Sequence, residues 1–205
     1  MPAMPDHAQR TEDQTTHAKP DVVNPSVLHL RLHPDTILRT KAAAVGTVTD
    51  NVRDVAQRML EIMREEEGIG LAAPQAGLPW RMFVCLVPAD PQAEGGPEGF
   101  VSDTGGRPLV CIDPVLSPAG ELEPFEEGCL SLPDIRGQVN RPTLVAMEAT
   151  ALDGKRYTVQ AAGLLARCIQ HEVDHLDGVL IIDKFGQLDR LRTRSALRRL
   201  ERRSR

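Results

Sequence analysis

The feature that most restricts this chain is a run of five residues, His171-Glu172-Val173-Asp174-His175, lying inside a stretch with helical spacing. From Gly163 to Leu176 the apolar residues Leu164, Leu165, Cys168, Ile169 and Leu176 recur at helical intervals, and Asp177-Gly178 supplies a stop. Four residues turn an α-helix by about 400°, so both imidazoles project from one face a turn apart, within reach of a single metal ion, with Glu172 on the flank. The chain's own His and Glu content predicts roughly 0.01 such matches by chance. Two solvated surface histidines would instead leave Leu164, Leu165, Cys168 and Ile169 on a mostly exposed helix. The spacing therefore predicts a core helix over 163–176 that carries two ligands of a metal site.

Two histidines leave such a site incomplete, because catalytic metals usually take three protein ligands and keep a position for water. No histidine lies beyond His175, and the downstream acids Asp177, Asp183, Asp189 and Glu201 show no diagnostic spacing. The upstream candidates are His29, His33, Cys85, Cys111, Glu127 and Cys129. Cys129 is the best placed, in Glu127-Gly128-Cys129-Leu130-Ser131, where a glycine permits close backbone approach and short flanking residues hold a turn. The four cysteines include no CxxC pair, so neither a disulfide framework nor a zinc ribbon is suggested.

At 205 residues the chain allows one domain with appendages or two small ones. Residues 1–26 are rich in Pro, Thr, Gln, Asp and His and read as a disordered extension, with the folded part expected from Val27. Residues 27–186 then form the catalytic body, and 187–205 a basic C-terminal helix or tail. Thr49 to Glu67 reads as an amphipathic helix; Trp80–Pro88, Pro108–Pro114, Thr143–Ala151 and Lys155–Ala161 read as strands; Val179–Phe185 reads as an apolar strand or turn. Residues 88–107, with five Gly and three Pro, read as a surface loop. Strands followed by a core helix predict an α+β fold.

Composition excludes some functions. Only six residues are aromatic, too few for stacking single-stranded nucleic acid, and no run approaches the roughly 18 apolar residues of a membrane span. Without a secretory h-region the expected location is the cytoplasm. The net charge of -5 is a sum of unlike parts: residues 190–205 hold eight arginines against one acid, leaving -12 on the rest.

A third segment, Gly68-Ile69-Gly70-Leu71-Ala72-Ala73-Pro74-Gln75, lacks the Lys-Ser/Thr of a phosphate loop, but its small residues suit a closely approached backbone, and Gln75 offers an amide donor for a developing oxyanion. GIGLAAPQ, EGCLS and QHEVDH, in this order and spacing, resemble the three motifs of peptide deformylases, and the resemblance covers roughly residues 27–185.

The resemblance implies an α+β fold in which a central helix bearing HExxH is surrounded by β-sheets, with a C-terminal helix. It implies an enzyme that removes the formyl group from the initiator methionine of nascent chains, releasing formate. It implies Cys129, His171 and His175 as ligands of one divalent metal, ferrous iron natively, although the ligand types equally allow zinc, nickel or cobalt. Water at that metal, its pKa lowered from about 15.7 toward 7, attacks the formyl carbon as hydroxide with Glu172 as general acid/base. The resemblance also implies that Gln75 and the Leu130 N–H hold the carbonyl oxygen, that the Gly70 backbone pairs with the peptide, and that Ile69, Phe125 and Leu164 line the methionine pocket. Arg167 stands at the pocket rim where some members have an aliphatic residue, which leaves preference beyond methionine open. The implied partners are N-formylmethionyl peptides and, through the phosphate charge of ribosomal RNA, the ribosome at Arg190–Arg205; neither DNA nor membrane is expected.

Two rivals share some of these residues. A zincin-type peptidase also uses HExxH but calls for a downstream His or Glu ligand, where this chain offers Cys129. A non-catalytic module, with a structural metal and an arginine tail that binds RNA, would need a fourth ligand and would tolerate the loss of Glu172, which is present here.

Overall fold

Helix formation at the start of the core is set by local chemistry. In the computed structural model, which describes residues 22–89 and 97–203, helix α1 spans Asp50–Glu65. Thr49 caps it by accepting from the Val52 N–H at 3.3 Å, and Asp50 places a negative charge on its first turn. Val52, Val55, Ala56, Met59, Ile62 and Met63 are buried along one face, each larger side chain contributing about 1.5–3 kcal/mol by leaving water.

One antiparallel sheet of five strands follows, in the order β1 (Gly70–Ala72), β2 (Met82–Cys85), β3 (Leu109–Cys129), β4 (Leu132–Thr150), β5 (Arg156–Ala162). The α+β class is therefore as expected, but a single bent sheet stands where separate sheets were implied. Strands β3 and β4 form a long hairpin joined by Leu130-Ser131, and register shifts at Ile112/Val115, Ala119/Leu122 and Gly128/Cys129 bend it. Helix α2, Gly163–Leu176, matches the expected span and packs on β1, β2, β4 and β5. Its Leu165, Ile169 and Leu176 enter a core shared with Phe83, Val145 and Met147. Gly163, at φ +53, turns the chain from β5 into α2 in a conformation that would strain a side-chain-bearing residue.

Several boundaries differ from the sequence expectation. The strand expected over Pro108–Pro114 runs on through a segment containing Pro118, Gly120, Pro124 and several acids, so that β3 ends only at Cys129. Their ladder bonds come from β4, and pairing within a hairpin overrides the poor strand propensity of an exposed segment. Val179–Phe185 is no strand: Ile181–Lys184 makes one helical turn, α3, with the Asp183 carboxylate accepting from the Leu180 N–H at 2.8 Å. Of the 88–107 segment, 90–96 lie outside the described residues; the rest is tied down, Val101 donating to the Gln160 carbonyl and accepting from the Ala162 N–H. Of the 1–26 extension, 1–21 lie outside the described residues, and Val23 is already fastened to the Asn51 side chain at 2.9 and 2.6 Å, four residues before Val27. Helix α4, Gln187–Arg203, lays Ala196, Leu197 and Leu200 on a cluster containing Leu38, Leu132, Val139 and Phe185.

Candidate metal centre

Three segments distant in sequence meet at one place. Helix α2 supplies His171, Glu172 and His175; the end of β3, just before the hairpin turn, supplies Cys129; β1 and the 3-10 turn after it (Ala73–Ala76) supply Gly70 and Gln75. Gly70 of β1 and Gly68 just before it make this convergence possible. A Cβ on Gly70 would collide with the Glu172 carboxylate and come within 2.9 Å of Cys168 Sγ, and one on Gly68 would sit 2.6 Å from Leu130 Cδ1. A side chain at Gly70 would push the strand off the helix, and one at Gly68 would displace the Leu130 side chain.

Ligand atoms of Cys129, His171 and His175 all lie within 4.8 Å of one another. Cys129 Sγ is 3.2 Å from His175 Nε2, and the two imidazole centroids are 5.0 Å apart at 64°. The His171 Nδ1 engages Glu127 Oε2 at 3.0 Å, which leaves the other ring nitrogen for a ligand. Gln75, almost fully buried, is oriented by accepting from the Ala72 N–H at 2.8 Å; its amide nitrogen faces Ser131 Oγ at 3.2 Å and Cys129 Sγ at 3.5 Å.

The electrostatics indicate what this group is suited to hold. Burial, with the Glu172 charge adding to it, pushes the Cys129 thiol up to about 12, and burial lifts the Glu172 carboxyl well above its usual range. Burial holds His175 well below the ordinary imidazole value, so it is neutral and a competent ligand at pH 7. Glu172 is 4% exposed and its Oε2 has no hydrogen-bond partner; nor does His175 Nδ1. A buried thiol beside two imidazoles, with a buried carboxyl next to it, forms a donor set suited to a borderline divalent cation, and the residues fit one.

Behind the ligands lies a buried ion network. Arg141, 2% exposed, grips Glu127 through two nitrogens at 2.6 and 2.9 Å and reaches Asp174 at 2.7 Å, while Lys184 closes the chain on Asp174 at 3.0 Å. Burial opposes charge on Glu127, but the Arg141 and His171 hydrogen bonds outweigh it and hold the carboxyl well below the usual range. Glu127, a candidate ligand by sequence, is thus placed to orient the His171 imidazole. Arg141 and Asp174 were not singled out by sequence: no motif marks Arg141, and Asp174 sits at an unspecified position of HExxH. The other candidates stand apart. His29 is exposed and bonded to the Val27 carbonyl, His33 donates its backbone N–H to Ser131, and Cys85 and Cys111 are buried with Cys168 in the α2 core.

In front of the ligands opens a cavity of about 500 Å³ lined by Gly70, Gln75, Leu130, Glu172, Ile69, Phe125 and Leu164 among others. Ile69, Phe125 and Leu164 are apolar yet a third or more exposed, a wet hydrophobic wall of the kind ligand pockets present. Arg167 also lines the cavity, but as an anchored side chain rather than a free rim charge: it donates to Glu127 Oε1 and to the carbonyls of Val139 and Glu123.

Comparison with known proteins gives matches over most of the chain. The family model of polypeptide deformylase matches residues 27–191. The peptide deformylase of Chromohalobacter salexigens is 43% identical over 173 residues, covering 84% of this chain and 92% of that one, and peptide deformylase 2 of Gloeobacter violaceus is 44% identical over 151 residues, covering 73% and 74%. Among solved structures, a peptide deformylase from Ehrlichia chaffeensis superposes with a TM-score of 0.78 at 29% identity, covering 86% and 96%. That of Plasmodium falciparum with an inhibitor does so with 0.71 at 32%, covering 84% and 99%. The three motifs that meet at the candidate metal centre all fall within the matched span, and the chain belongs to the polypeptide deformylase family, a class of hydrolases.

Proposed function

We propose that this enzyme removes the N-formyl group from the initiator methionine of nascent polypeptides, releasing formate, and that Cys129, His171 and His175 hold the divalent metal it needs. The observation that carries this reading is the unpartnered Glu172 Oε2 beside the three ligand atoms, facing an apolar-walled cavity. A bound divalent cation supplies a Lewis acid that lowers the pKa of water toward neutrality. Glu172 accepts a proton during attack on the formyl carbon and delivers it to the departing amine. The Gln75 amide and the Leu130 N–H stabilise the developing oxyanion, each such donor contributing about 3–4 kcal/mol to the transition state. Gly70 offers edge-strand backbone to the peptide, β1 being the outer strand of the sheet, and Ile69, Phe125 and Leu164 receive the methionine side chain.

Ferrous iron is the native metal in this reading, with zinc, nickel and cobalt as chemically acceptable substitutes. No helix among the described residues is long and apolar enough to cross a membrane, and the site of action is the cytoplasm, where nascent formylated chains emerge. The exposed arginines of α4 provide a field for ribosomal RNA.

The test is formate release from a formyl-methionyl tripeptide by anaerobically purified protein, with metal analysis of the same sample. Stoichiometric divalent metal and formate release support the reading. Cleavage of unformylated peptides alone would favour a zincin-like peptidase.

A further inference from the structure

Arg167 stands where the side-chain pocket meets the support of the metal ligands, and its contacts run in both directions. It lies one turn before His171 on α2. On the pocket side its guanidinium carbon sits 5.1 Å from the centroid of the Phe125 ring, stacked over it. On the ligand side Nη1 donates to Glu127 Oε1 at 2.8 Å, and Glu127 Oε2 is the partner of His171 Nδ1 at 3.0 Å. The same guanidinium ties down the two strands of the hairpin, through the Val139 carbonyl on β4 at 3.0 Å and the Glu123 carbonyl on β3 at 2.9 Å. The side chain is 12% exposed and its charge is answered by Glu127, so it is poorly disposed to attract an acidic substrate side chain. Only a planar fork can stack on a ring and donate to a carboxylate and two carbonyls together; an ammonium is a single point of contact.

We propose that Arg167 is a positioning residue that couples the methionine pocket to metal retention, fixing the Phe125 ring on one side and, through Glu127, the His171 imidazole on the other. The pocket half rests on the function proposed above; the retention half goes beyond it and does not depend on the substrate.

The experiment compares wild type, R167M, R167K and F125L as zinc-loaded enzymes. It reads the rate of zinc transfer to a colorimetric chelator, and the ratio of kcat/KM for formyl-Met-Ala-Ser over formyl-Leu-Ala-Ser. R167M is expected to release zinc about tenfold faster, the lower end of the cost of losing support behind a ligand because Arg141 still holds Glu127. Its preference for methionine should fall about threefold or more as Phe125 loses its backing. F125L should lose the same preference while releasing zinc at the wild-type rate. R167K keeps a donor for Glu127 but not the stacked fork, so it should retain zinc and still lose preference. A purely structural arginine would lower the thermal midpoint and leave both readouts unmoved in folded R167M, which overturns the proposal. Faster zinc release from F125L overturns it too. Should R167M fail to fold, R167K with both readouts at wild-type values rejects it equally. A wild-type enzyme that releases no formate from any formylated peptide would sink the substrate reading instead, and the zinc rates would then decide the retention half alone.

Discussion

Helices α2 and α4 are of similar length and both carry several ionisable side chains, yet they handle charge in opposite ways. On α2, Arg167, His171 and Asp174 all engage the Glu127–Arg141 pair, and Glu172 and His175 are buried. On α4, Ala196, Leu197 and Leu200 are covered while Arg190, Arg192, Arg194, Arg198, Arg199 and Arg202 face water. A buried charge is costly unless paired and hydrogen-bonded, so α2 is constrained position by position. Solvated arginines act through a summed field that salt screens beyond about 8–10 Å. Geometry governs the first helix, and net charge the second.

The largest expected effect breaks the α2 side of this contrast. Glu172→Gln should retain its metal, measured by elemental analysis, and lose about 10²–10⁴-fold in formate release; near-wild-type turnover would show that the buried carboxyl is not the acid/base group. Cys129→Ser should leave the purified protein largely metal-free, and an unchanged metal content would mean that another side chain completes the ligand set. Arg141→Met removes the buried cation shared by Glu127 and Asp174, leaving the first to Arg167 and His171 and the second to Lys184, and should cost about 3 kcal/mol in denaturant unfolding, whereas Arg198→Ser on α4 should fall within about 0.5 kcal/mol. Equal effects would erase the distinction between the helices.

Acid sharpens the comparison further. Glu127 has its folded-state pKa depressed, so the stability it adds is present above the ordinary carboxylate range near 4.3 and is lost as pH falls below it toward the depressed value. The thermal midpoint should therefore drop between about pH 5 and 3, and Glu127→Gln should lower it at neutral pH and flatten that limb. The smallest expected effect on the body is at α4. Serine at Arg192, Arg194, Arg198 and Arg199 should leave the thermal midpoint and turnover of a formyl-Met tripeptide unchanged. Binding to ribosomes or ribosomal RNA, followed against salt, should weaken, with the log–log slope shallower by about 0.7–0.9 per phosphate contact removed. Substitution is the cleaner test than truncation, which would also uncover Leu38 and Phe185.

Much of the site was legible because its signals are local. The 163–176 helix, its two histidines and Glu172 follow from spacing within a dozen residues, and α1 was placed to within two residues at each end. Cys129 stood out from its turn-prone neighbours. The middle of the β3–β4 hairpin was missed because its strand character comes from the opposite strand, as the pairing of Phe125 with Val139 illustrates. Arg141 carried no signal at all, since an arginine in a polar strand reads as a solvated side chain until its burial is known.

By itself the sequence determined the chemistry: two imidazoles one turn apart, a carboxyl beside them, a thiol at a turn, and glycines where backbones must touch. The tertiary structure decided which acid backs a candidate ligand, which arginine is buried, and that Arg167, expected at the pocket rim, is anchored there by Glu127. Periodicity and turn propensity are properties of neighbouring residues. The pairing of Glu127, Arg141, Arg167 and His171 depends on the register of a bent hairpin against a helix, and that register is settled only when the whole core packs.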